Sequence, residues 1–364
     1  DGSDEVADIV VSASGGLSRP AYPNISGLSR FAGKLFHSAQ WDHSYDFGGK
    51  TVAVIGTGAS AIQFVPQIAP QVKQLELFQR TPPWVLPKPD RAIPAIERSL
   101  YRRVPLLQRL HRKLIYWHLE GRALGFVVNP RLMRMAQWMG RQHLLKHIID
   151  PVLRTKLTPD YVMGCKRVLM SNDYYPALAR PNVRVVTLAI REMVADGIIT
   201  SDGKLHQVDA VILGTGFQAG DAVAPFSVRG VNGADLNFAW RDGAEAYLGT
   251  SVHGFPNLFL IVGPNTGLGH SSMIYMIEAQ VQHVLACLDA LRSNCARQIE
   301  VKAEVQQRYN HKLQARLAKS VWASGCSSWY QNRAGRNTTL WPGFTFKFRQ
   351  RVATLRDGDY HFGK

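Results

Sequence analysis

Cysteine is scarce, with four in 364 residues. Cys165, Cys287, Cys295 and Cys326 form no CxxC pair and no metal-ligand spacing, which excludes a zinc ribbon or a dithiol redox motif and leads us to expect reduced thiols in a cytoplasmic protein. Long apolar runs are also lacking. Stretches such as "LFLIVG" at 258–263 are far too short to span a bilayer. The opening "DGSDEVADIVVSAS" has neither a basic n-region nor an apolar h-region, so no secretory leader is expected. There is no internal repeat or low-complexity tract, which excludes a solenoid. Acidic residues are few, 27 against 43 Lys and Arg, for a net charge of +16.

What is present describes a globular chain, with 46% hydrophobic and 19% charged residues, at a length that suggests two domains. "ADIVVSASGG" (7–16), "KTVAVIGTGAS" (50–60), "VDAVILGTGF" (208–217) and "NLFLIVGPN" (257–265) are short apolar runs bounded by glycine, the signature of buried parallel strands. "QLELFQR" (74–80) and "VRVVT" (183–187) are also strand-like, and a Ser-Asp-Gly turn within 197–213 signals a hairpin. Strands alternating with helices give an α/β architecture. Residues 92–160 interrupt this rhythm with Leu, Arg, Met and Trp at helical spacing, and read as a helical insertion. Helices are also expected at 271–293 and 302–320, whereas the turn-rich aromatic tail from 329 to 352 reads as irregular structure.

The positive charge is concentrated. Between Lys88 and Arg167, 17 basic residues face five acidic ones. No helix-turn-helix, zinc-finger or RNP signature accompanies it, so nucleic acid is not an expected partner. "RLHRKLIYWHLEGR" interleaves Tyr116 and Trp117 with Leu and Arg, which leaves peripheral contact with anionic lipid open. A solvated face that also attracts a polyanionic cofactor is the plainer reading.

The strand "KTVAVI" runs into Gly56-Thr57-Gly58-Ala59-Ser60-Ala61 and then an amphipathic helix, a dinucleotide-binding arrangement. Gly56 permits the tight turn, Gly58 lets the backbone approach a pyrophosphate, and Ala61 keeps the helix near the sheet. Free amides at the helix start then hold the phosphate, and Gln63 in the first turn is a further candidate cofactor-binding residue. An NAD site would place an acid at the tip of the next strand, but Glu76 lies inside that run and the tip reads Gln79-Arg80-Thr81. A guanidinium beside a hydroxyl suits a 2′-phosphate, favouring NADPH, although Arg80 alone also reads as a solvated strand-end charge.

Just upstream stands Phe31-x-Gly33-x-x-x-His37-x-x-x-Trp41-Asp42. With the GxGxxA that follows, it resembles the fingerprint of type I Baeyer–Villiger monooxygenases. The resemblance continues through "GGLSRPAYPNISG", "QRTPPWVLPKPDR", "GCKRVLMSNDYYPAL", "LGTGFQ", "FPNLFLIVGPNTGLGHSSM" and "GRNTTLWPG". It implies two Rossmann-like domains, for FAD and NADPH, with the insertion in the NADP domain. The implied activity is insertion of one oxygen atom of O2 beside a ketone carbonyl, through a flavin C4a-peroxide, giving an ester or lactone. The fingerprint would be a linker between the domains, with Trp41 and Asp42 near the cofactor and His37 a hinge and positioning residue. Gly33 is expected to adopt a backbone conformation closed to other residues. In "GCKR", Lys166 would help hold the 2′-phosphate and Arg167 would face the flavin, while Met273 would lie beside the flavin ring. Read locally, Arg167 is a surface salt-bridge residue and Met273 a core methionine.

Related flavin monooxygenases oxidising N or S atoms share both cofactors and stay an alternative, as does an inactive NADPH-binding module or a basic nucleic-acid or membrane binder. Family members carry an earlier GxGxxG for FAD and an acid partner for the arginine, so the resemblance implies the larger piece of a monooxygenase, with an FAD domain incomplete at its N-terminus and, by itself, no complete FAD site. The expected layout is FAD-domain remnant and linker at 1–45, NADP domain at 46–217 with the insertion at about 92–160, and the rest of the FAD domain at 218–364. Substrate identity and oligomeric state are not legible.

Overall fold

The apolar runs assemble, as their composition demands, into buried ladders. The computed structural model describes residues 2–218, 226–332 and 334–364; residues 219–225 and 333, within the expected 218–364 segment, lie outside the described residues. With elements numbered in chain order, the central sheet runs β2 (Lys34–His37), β11 (Ala210–Leu213), β3 (Thr51–Ile55), β4 (Gln74–Phe78), β7 (Val183–Val186), and every pair is parallel. Strands buried on both faces need continuous apolar sequence, and β11 has no exposed residue. One face packs on α1 (Ala61–Ile68) and α6 (Tyr174–Leu178). The other is covered by an antiparallel sheet of β8 (Ile190–Val194), β9 (Gly197–Thr200) and β10 (Leu205–Gln207). The Ser-Asp-Gly turn joins β9 to β10, with Gly203 at φ +83°.

A second unit contains β1 (Val10–Ser12) parallel to β13 (Phe255–Leu260), with β12 (Ser251–Val252) antiparallel on the other side. Around it lie α7 (Leu236–Ala239), α8 (Met273–Ser293), α9 (Ala303–Leu317) and the ribbon of β14 (Gln298–Val301) and β15 (Tyr360–Gly363). The tail corrects the sequence reading, because α10 (Thr345–Ala353) forms within it. Phe348 and Val352, four residues apart, are fully buried in the core that α8 also enters. That stripe, masked by the turn residues before it, outweighs them once α8 offers a surface.

The insertion is helical as expected, with α2 (Ala95–Arg103), α3 (Pro105–Gly121), α4 (Met133–His147) and α5 (Pro151–Leu157). Its base is closed by parallel pairing of β5 (Val85–Leu86) with β6 (Leu169–Met170). Buried Glu120 at the end of α3 accepts from the Thr345 N–H at 2.5 Å and the Thr345 hydroxyl at 2.7 Å. This clasp ties the insertion to α10, and Tyr116 stacks on Tyr275 of α8 with ring centroids 5.0 Å apart.

The cysteine expectation is overturned for one pair. Cys165 and Cys326 form a disulfide with Cα atoms 6.1 Å apart across a sequence separation of 161. Nothing in local spacing signals a pair brought together only by the docking of the two units. Cys287 and Cys295 are free thiols. No helix among the described residues is long and apolar enough to cross a membrane.

Candidate functional site

The turn after β3 has the geometry that its glycines require. Gly56 sits at φ +111°, and a Cβ there would lie 2.4 Å from the Gly214 carbonyl oxygen. A Cβ on Gly58 would meet nothing within 4 Å, so the turn presents bare backbone to open space. Among the described residues the amides of Thr57, Gly58, Ala59 and Ser60 have no hydrogen-bond acceptor, leaving four donors converging at the start of α1. Ala61 is fully buried against the sheet. Thr57 Oγ1 donates to the Thr81 carbonyl at 3.2 Å, and Gln63 Nε2 donates to the Ala59 carbonyl at 2.7 Å. Both side chains therefore brace the turn.

At the tip of β4, Arg80 is exposed, while Gln79 is turned inward and donates to the Lys156 carbonyl at 2.8 Å. Glu76 is engaged elsewhere, accepting from His206 Nδ1 at 2.5 Å and Arg184 at 3.0 Å, which leaves Arg80 as the charged group at that tip. Lys166 lies 5.0 Å from the centre of the Tyr161 ring. Burial and then the nearby Arg80 charge pull its ammonium below the usual lysine value, against a smaller opposing effect of Asp160. Two cations near enough for one charge to act on the other suit a polyanion.

The next residue, Arg167, points to a different place. It lines a cavity of about 270 Å³ with Ser12 and residues 14–17 from the end of β1, Ile261–Pro264 beyond β13, Met273 at the start of α8, and Tyr330. The cavity thus opens beyond the carboxyl ends of two parallel strands, where α/β sheets bind ligands. Its wall is mostly apolar. Burial pushes the Tyr330 phenol above its usual range, and the Arg167 charge opposes that shift. Arg167 and Met273, 106 residues apart in sequence, are brought to one cavity.

His37 ends β2 and is fully buried. Its Nδ1 accepts from the Ala39 N–H at 3.1 Å, and among the described residues Nε2 has no partner within hydrogen-bond geometry. Burial lowers its pKa, partly offset by the Gly216 backbone, so the ring is neutral at pH 7. Tyr22 and Phe217 flank it, each with ring centroids 5.8 Å away. Those neighbours belong to the two strands of chain that cross between the units. Thr215 Oγ1 donates to the Ala21 carbonyl at 2.6 Å, and the Ala21 N–H to the Gly216 carbonyl at 2.8 Å.

The fingerprint differs from its sequence reading in three respects. Residues 34–37 are more than a linker, since they form the edge strand β2. Gly33 does not have a positive φ; glycine is needed because a Cβ would lie 2.5 Å from the Asp209 carbonyl oxygen and 2.6 Å from the Phe31 ring. Trp41 packs on Phe36, Phe47 and Phe64, and Asp42 pairs with Lys34 at 2.5 Å and caps Ser44. These bonds hold the Asp42 carboxyl well below the usual carboxylate range. Trp41 is thus engaged in packing, including on Phe64 of α1, and Asp42 in an ion pair and turn capping.

The profile of the flavin-binding monooxygenase-like family matches residues 2–226. A Baeyer–Villiger monooxygenase of Pseudomonas aeruginosa is 54% identical over 362 residues, covering 99% of this chain and 69% of that protein. One of Streptomyces coelicolor is 45% identical over 358 residues, covering 97% of this chain and 69% of the relative. The crystal structure of OTEMO in complex with FAD and NADP superimposes with a TM-score of 0.86 at 26% identity, covering 98% of this chain and 75% of that one. The chain belongs to the Baeyer–Villiger monooxygenases of the flavin-binding monooxygenase-like family.

In this monooxygenase the sequence missed Gln280. Fully buried in α8, its Oε1 accepts from the Val262 N–H at 3.0 Å, while Nε2 donates to the Gly249 carbonyl at 2.9 Å and Thr250 Oγ1 at 3.0 Å. Val262 lines the cavity at φ +59°, a conformation that a β-branched residue adopts only under restraint. A lone amide amid the apolar face of helix 273–293 was the available signal.

Proposed function

We propose that this protein is an NADPH- and FAD-dependent enzyme that inserts one oxygen atom of O2 beside the carbonyl of a ketone, giving an ester or lactone. The observation that carries this reading is the dipeptide Lys166-Arg167, whose first member lies by Arg80 and whose second lines the apolar cavity with Met273. The residues present fit NADPH and the ring end of FAD. Four free amides, the bare surface at Gly58 and two cations suit the pyrophosphate and 2′-phosphate of NADPH. The cavity beyond β1 and β13, entered by the uncapped start of α8, suits a flavin ring. FAD reduced by NADPH supplies the activated oxygen.

The chain's own residues do the rest. Arg167 carries a permanent charge and has no acidic partner among the described residues, so it is free to stabilise negative charge developing on oxygen atoms of the substrate. The apolar wall limits water, which strengthens that interaction. His37, neutral and packed between the two crossing segments, positions the units rather than transferring a proton.

The test is an assay of the full-length protein, loaded with FAD, with a cyclic ketone and a thioether, alongside Arg167→Ala. Ester formation that is lost in the variant, with NADPH-driven flavin reduction retained, is the expected result. Sulfoxide without ester, or normal ester formation by the variant, overturns the assignment.

A further inference from the structure

The helical insertion carries an apolar face that the described residues leave largely exposed. On α3, Leu106, Leu107, Leu110, Leu114 and Trp117 fall within an arc of about 100° at 3.6 residues per turn. All five are exposed, Leu106 at 70% and Leu114 at 62%. Such a stripe normally faces a core, and here it faces solvent. It is continued by Ile96 and Leu100 on α2, which are exposed four residues apart.

The charge around this stripe has one sign. From residue 92 to 119 there are six Arg and Lys and one acid, Glu97, whose carboxylate is already paired with Arg91 at 2.7 Å. Arg109 and Lys113 border the stripe along α3, and Arg102 and Arg103 end α2. At the far end Trp117 meets Phe346 of α10, with ring centroids 5.8 Å apart, and Lys347 is exposed beside it.

We propose that the α2–α3 hairpin is a docking surface for an anionic lipid bilayer, lying in the plane of the headgroups with the Leu106–Trp117 stripe inserted. Apolar insertion and attraction of unpaired cations act together on such a surface, and each alone is weak. A nucleic acid would use the cations but leave the leucines in water. A second copy of this chain would oppose cation to cation across the interface.

The experiment is flotation of the 364-residue chain with vesicles of phosphatidylcholine, alone or with about 30% phosphatidylglycerol. The wild type is expected on the anionic vesicles, with Trp emission shifted to the blue, and in solution with the neutral ones. Leu110→Glu/Leu114→Glu and Arg109→Glu/Lys113→Glu are each expected to lower partitioning at least tenfold, and the unchanged melting temperature expected for exposed positions would show that they fold. Absence from anionic vesicles overturns the proposal, as does equal binding to neutral ones or indifference to both substitutions. A dimer in sedimentation velocity that the leucine variant dissociates, without vesicle binding, also overturns it and assigns the face to a second copy.

Discussion

The imidazole of His37 stands edge-on to the ring of Phe217, with centroids 5.8 Å apart and planes at 74°. One residue ends an edge strand of the five-stranded parallel sheet and the other follows β11 of the same sheet. Their contact places a fully buried, half-satisfied histidine where the chain crosses between units. Three buried imidazoles, those of His37, His270 and His283, share one electrostatic character. Burial holds each below the usual value, and His270 is pushed down to about 4 by burial and by Arg122 even though Glu120 lies 3.8 Å away.

The pH dependence of stability follows from that character. A histidine depressed in the folded state binds its proton more readily when unfolded, so stability is full above about pH 6.5 and declines as pH falls below it. The melting temperature is expected to drop between pH 7 and pH 5, and to drop less steeply in His37→Gln. Identical slopes would mean that His37 titrates as it does in the unfolded chain.

Gly56 and Gly58 have separable roles. Gly56→Ala puts a Cβ against the Gly214 carbonyl at a φ closed to alanine, and should destabilise the fold by roughly 1–3 kcal/mol. Gly58→Ala meets no protein atom, so its melting temperature should be unchanged while NADPH affinity falls. Thermal unfolding and NADPH titration of the two variants distinguish these outcomes, and a destabilised Gly58→Ala would contradict the open surface.

Arg80→Ala should weaken NADPH far more than NADH. Loss of a charge-assisted contact corresponds to about 1.5–3 kcal/mol, or roughly tenfold to a hundredfold in Kd. Calorimetric titration with both nucleotides checks this, and equal losses would show that Arg80 does not read the 2′-phosphate.

The Cys165–Cys326 bridge predicts a thiol count. Denatured without reductant, the protein should expose two reactive thiols, Cys287 and Cys295, and four after reduction. Closing a loop of this length stabilises a fold by about 4–5 kcal/mol on the chain-entropy account, so reductant should lower the melting temperature by several degrees. Four thiols without reductant would remove the bridge.

Much of the nucleotide-binding unit was legible because its signals are local. Short, largely apolar strand runs and the glycine turn of 56–61 fix short-range conformation, and the structure has the strands, the positive φ of Gly56 and an exposed Arg80 after β4. The family resemblance reached further and named Arg167 and Met273, which local reading assigned to a salt bridge and to the core. The tail helix at 345–353 was missed because its apolar stripe has a partner only after α8 is in place, and the roles of Gly33, Trp41 and Asp42 were fixed by neighbours distant in sequence.

Taken by itself, the sequence determined the alternation of strands and helices, the phosphate-type turn and the concentration of positive charge, since each follows from backbone sterics or composition within a few residues. Tertiary structure alone decided the convergence of Arg167 with Met273, the Glu120–Thr345 clasp, the support of Val262 by Gln280 and the pairing of Cys165 with Cys326. Those relations depend on how elements distant in sequence pack together, and close packing makes that meeting specific to a few ångströms while leaving no periodic trace along the chain.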